Sequence, residues 1–110
     1  MKKTIKSLGD TIYIKEQELK GRNLGYFNPN TFEIVINKNQ SKAGKYAILI
    51  HEFIHFCEMQ LIAQKIIKRR ADHNFVTNLA PNLLLLLVYA GVIRDIDKKE
   101  LGEFFKTIDK

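Results

Sequence analysis

Two histidines, His51 and His55, stand four residues apart with Glu52 beside the first, inside the apolar stretch KYAILIHEFIHFCEMQ at 45–60. On a helix each residue turns by about 100°, so the two imidazoles fall about 40° apart on one face, one turn from each other. So placed, they can fill two corners of a tetrahedral zinc without bending the backbone. Glu52 falls on the neighbouring flank, where its carboxylate can reach a water on the metal rather than the metal itself, as a general base requires. This HExxH spacing is the pattern of zinc-dependent metalloproteases. A core helix that merely carries two histidines would supply no partners for buried ionisable groups.

A catalytic zinc takes three protein ligands and keeps one position open. The third ligand expected from ligand chemistry is His73, the remaining histidine of the chain, with Asp72 and Glu58 as alternatives. Glu58 shares the face of the histidine pair. Three consecutive turns of a straight helix converge poorly on one ion, which suits it better to orienting a histidine. His73 returns to the metal only if the first helix stops early or the linking segment doubles back. Helix as far as Arg70 would carry the chain about 22 Å beyond His55.

The elements that must position these residues are legible from periodicity. TIYIKEQ (11–17) alternates as a strand with Ile12 and Ile14 on one face. NLGYFNPNTFEIVIN (23–37) reads as a hairpin, Leu24 to Phe27 pairing through an NPNT turn with Phe32 to Asn37. Ser41 is the expected N-cap of a long helix running to about Arg70. RADHN (70–74) ends that helix, and a second follows from about Phe75 to Ala90, with Pro81 kinking it or opening its second part. The run LLLLLV (83–88) is too short to span a bilayer and reads as helix buried on most sides. Asp97 caps a short amphipathic helix at 98–108. The expected fold is α+β: a small antiparallel sheet of about three strands packed against the long HExxH helix, with two further helices after it.

Residues 1–110 are expected to form a single domain, long enough to bury a core without staples. Apolar residues at 45% and charged residues at 27% exclude disorder as the default. One cysteine, Cys57, excludes an intrachain disulfide. The basic opening MKKTIKSLGD has no long apolar region after it, so no signal peptide is expected, and the location expected is cytoplasmic, with no membrane partner. Net charge is +6, but the basic residues are dispersed. Their one cluster, Lys68-Arg69-Arg70, falls near a helix end where cations suit the dipole, so no specific nucleic-acid partner is expected.

The Gly-Tyr hairpin LGYFNPNTFEIVIN, a polar stretch and then AILIHEFIHFCE together resemble the minimal zincins of the ImmA/IrrE-like group, small metallopeptidase domains found in bacterial genomes, phages and mobile elements. The resemblance covers roughly residues 22 to 90, and NFVTNLAPNLLLLL looks like the apolar helix after the motif helix there. It implies Zn2+ held by His51 and His55, Glu52 as general base, and an extended peptide or protein substrate docked along the strand before the motif helix, here Phe32 to Asn37. That family usually draws its third ligand from an acidic residue at the start of the downstream helix; here that position falls near His73. Tyr26, Tyr46 and Tyr89 are the candidate oxyanion donors. The function expected is zinc-dependent peptide hydrolysis; the alternative is an inactive zincin-fold regulatory or binding module.

Overall fold

A computed structural model describes residues 4–7 and 10–108. Residues 1–3, part of the basic opening read above as lacking a signal peptide, lie outside them. The fold is α+β, with strands β1 (Thr4–Ser7), β2 (Asp10–Gln17), β3 (Gly25–Asn28) and β4 (Glu33–Asn37), then helices α1 (Lys42–Ala63), α2 (His73–Tyr89) and α3 (Lys98–Ile108).

The sheet has four strands in the order β1-β2-β4-β3. β3 and β4 form the expected antiparallel hairpin, with Tyr26 opposite Val35 and Phe27 opposite Ile34. β2 and β4 run parallel, so the sheet is mixed rather than antiparallel throughout. β1 adds a strand not seen in the periodicity, paired antiparallel to β2. Asn28 accepts from the Asn30 amide at 2.9 Å to shape the hairpin turn. Phe32 belongs to that turn, not to the strand, and sits in left-handed backbone at φ 55°. Few bulky residues adopt this conformation. Here its ring packs on Phe27 and edge-on to Phe56.

The order of the strands changes which one is free. β4 lies between β2 and β3, so the strand expected over Phe32 to Asn37 is interior, and β3 is one of the two sheet edges, the other being β1. β3 also approaches α1 more closely than any side chain would allow. A Cβ at Gly25 would stand 2.5 Å from Ile48 Cγ2 and 2.7 Å from the Val35 carbonyl.

α1 is the middle layer. On one side Phe56 packs with Ile12, Ile14, Ile34 and Ile36 of the sheet. On the other, Ala43 and Ala47 pack with Leu84 and Val88 of α2, Ile96, and Leu101 of α3. Burying both flanks of one helix explains why apolar residues surround the motif on nearly every side. Ser41 caps α1 as expected, its hydroxyl accepting from the Gly44 amide at 3.1 Å, and Asp97 caps α3 through the Glu100 amide.

α2 differs from expectation in two ways. It runs unbroken through Pro81, and its apolar run is not buried on most sides. Val76, Ala80, Leu84 and Val88 form one buried stripe at four-residue spacing, while Leu86 is 60% exposed. An outer-layer helix has only one face to bury. No helix among the described residues is long and apolar enough to cross a membrane.

Candidate metal centre

α1 ends at Ala63, seven residues short of Arg70, through a left-handed turn at Lys65 (φ 61°). The Lys65 amide bonds back to the Ile62 carbonyl and the Ile66 amide to the Leu61 carbonyl, the paired bonds of a Schellman stop. The chain then has room to double back. Asp72 caps α2 by accepting from the Asn74 amide at 2.7 Å, and His73 becomes the first residue of that helix.

The result brings the three histidines together. His51, His55 and His73 each offer a ring nitrogen, and these atoms all lie within 4.8 Å of one another, close enough to hold a metal ion. His51 Nε2 and His55 Nε2 are 3.1 Å apart. The His55 and His73 rings stack at 5.7 Å with their planes 2° apart. Burial, followed by the neighbouring imidazoles, holds the His51 pKa below the usual range, which favours the neutral form that a metal requires.

The other two candidate ligands have different employment. The Asp72 carboxylate is the α2 cap. Glu58, 5% exposed, sets one oxygen 2.8 Å from His55 Nδ1 and the other 2.6 Å from the Ala71 amide. A carboxylate only accepts, so His55 donates from Nδ1 and its Nε2 is left with a lone pair turned toward His51. The sequence-based expectation that Glu58 orients a histidine agrees with this geometry.

Glu52 is the second buried acid of the site, 9% exposed. Burial pushes its pKa up to about 7, against an opposing influence from the Phe27 backbone N–H. It shares with His51, His55 and His73 a cleft of about 370 Å3 walled on one side by Gly25, Tyr26 and Phe27 of the edge strand. Of the three tyrosines considered from sequence, Tyr26 alone lines this cleft. Tyr46 instead gives its hydroxyl hydrogen to Asp95 at 2.9 Å, and Tyr89 lies beneath Lys98. Arg70 also lines the cleft. No periodicity marks it out, because it belongs to the irregular connection between α1 and α2.

No family model, no curated protein and no solved structure matches this chain. What the site can do therefore rests on its own geometry and chemistry.

Proposed function

We propose that the protein is a zinc-dependent metallopeptidase of minimal zincin type, related to the ImmA/IrrE-like group. The observation that carries this reading is the joining of three histidine nitrogens, within 4.8 Å of one another, with the buried carboxylate of Glu52 in one cleft. The donor set fits zinc. Nitrogens bound tetrahedrally at about 2.0–2.1 Å stand about 3.3 Å from each other, and His51 Nε2 and His55 Nε2 are 3.1 Å apart. Three histidine ligands would leave the fourth position of a tetrahedral zinc free, as a catalytic zinc requires.

Zinc held there supplies Lewis acidity, acidifying a water and polarising a carbonyl. The remaining work belongs to the chain. Glu52, with a pKa near neutrality, takes the proton of the attacking water and returns it to the leaving amine. β3, as the sheet edge beside the cleft, offers main-chain N–H and C=O groups to an extended peptide. Tyr26 and Arg70 line the same cleft and are the candidates for stabilising a developing oxyanion.

The test is peptide hydrolysis by zinc-loaded wild type and by Glu52→Gln. Loss of the general base is expected to lower kcat by about 100-fold or more while bound zinc stays at one per chain. Equal, negligible rates in both, with zinc bound, would favour the inactive binding module.

A further inference from the structure

Glu58 does two things at once. One oxygen fixes the tautomer of His55, and the other holds the Ala71 amide, two residues before His73. Between Lys68 and Asp72 this is the one hydrogen bond made by a main-chain amide among the described residues. The segment has neither helix nor strand, and residues 68–72 are exposed. The position of His73 thus depends on a connection with little packing of its own.

We infer that Glu58 is a positioning residue that couples the second metal ligand to the third: it holds His55 in its binding tautomer and docks the connection that delivers His73. The inference rests on the metal-centre reading above, and not on peptide hydrolysis. Its physical content is a linkage. Whatever fixes His55 against Glu58 also favours the docked connection, so an ion that engages the histidines tightens the bond to Ala71, and that bond in turn raises affinity for the ion. A carboxylate is needed because two N–H donors meet it, one at each oxygen. Glutamine keeps the length but has one acceptor oxygen, so it meets one donor and turns its own NH2 toward the other.

The experiment is a zinc titration against a chromophoric chelator for wild type, Glu58→Gln, His73→Ala and the double variant. Glu58→Gln is expected to weaken zinc binding by about 10- to 100-fold, with a clearly smaller fold-loss when His73 is already alanine, because half of what Glu58 positions is then gone. The same fold-loss in both backgrounds overturns the coupling, and so does wild-type affinity in Glu58→Gln. Cobalt substituted for zinc gives a second signature: its visible bands are expected to change in Glu58→Gln, which a loss of stability alone would not do. Where the substituted chains lose their helical circular dichroism, amide exchange in the unsubstituted protein decides. Zinc is expected to slow exchange at Ala71 by about tenfold or more, and exchange indifferent to zinc overturns the proposal. Zinc-dependent hydrolysis without the coupling removes this inference alone, whereas a wild-type chain that binds no zinc removes the metal centre with it.

Discussion

Glu52 is under two opposed demands. The proposed general base must accept a proton near neutral pH, and the burial that raises its pKa toward that range also makes its charge unfavourable in the folded state. Its pKa rises from an ordinary value of 4.5 to about 7. Between those values the folded chain holds a proton that the unfolded chain has released. The associated stability is therefore present in full below pH 4.5 and is lost as pH rises through 7. The loss is at most on the order of 3 kcal/mol. Glutamine at this position carries no charge and escapes it. In metal-free protein, Glu52→Gln should gain stability over wild type as pH goes from 5 to 8, measured as the separation of their urea midpoints with chelator present. A separation that does not change with pH would contradict the desolvated carboxylate.

At the scale of elements, the end of α1 decides whether there is a site at all. Lys65 occupies left-handed backbone where glycine is the usual residue, and an L side chain there costs about 1 kcal/mol. Lys65→Gly is expected to raise stability by about 0.5–1 kcal/mol in chemical denaturation, with zinc affinity unchanged. A loss of stability would show that the Lys65 side chain contributes something its exposure does not suggest. The same residue explains why helix to Arg70 was the natural reading. Residues 60–72 contain neither glycine nor proline, so no residue type announces the stop. His51, Glu52 and His55 were legible because helical periodicity places them without help from the rest of the fold. His73 could be named from its chemistry, but its return depended on a backbone turn with no sequence mark. Tyr26 emerged from three candidate tyrosines only when β3 was seen at the sheet edge.

Across the whole molecule, α1 lies between two apolar clusters, one with the sheet and one with α2 and α3. The three histidines that could hold a metal lie on α1 and α2, so an ion that binds them in the folded chain would add to global stability. Zinc at a free concentration of 100 times its Kd should contribute about 2.7 kcal/mol, raising Tm on the order of 10 °C for a domain of this size. Calorimetry with zinc and with chelator tests this, and His73→Ala should abolish most of the difference. A Tm that ignores zinc in the wild type would argue against the centre. The strands β2, β3 and β4 were legible from alternation and turn residues, and the helices from periodicity and caps. The parallel pairing of β2 with β4 was not, since local pattern marks a strand but not its neighbour. β1 is only four residues long and too short for alternation to register.

The histidines of the centre all emerge between His51 and His73, from α1 and the first residue of α2. The sheet contributes none of them. His51 and His73 are 22 residues apart and Tyr13 is 20 from its β4 partner Glu33, so closing either loop costs about the same chain entropy. An ion held by the three histidines would clasp α1 and α2 together without drawing on any strand. Zinc would then act on the helical hairpin directly and on the sheet only through the packing of α1, so added zinc should slow amide exchange more in α1 and α2 than in the strands.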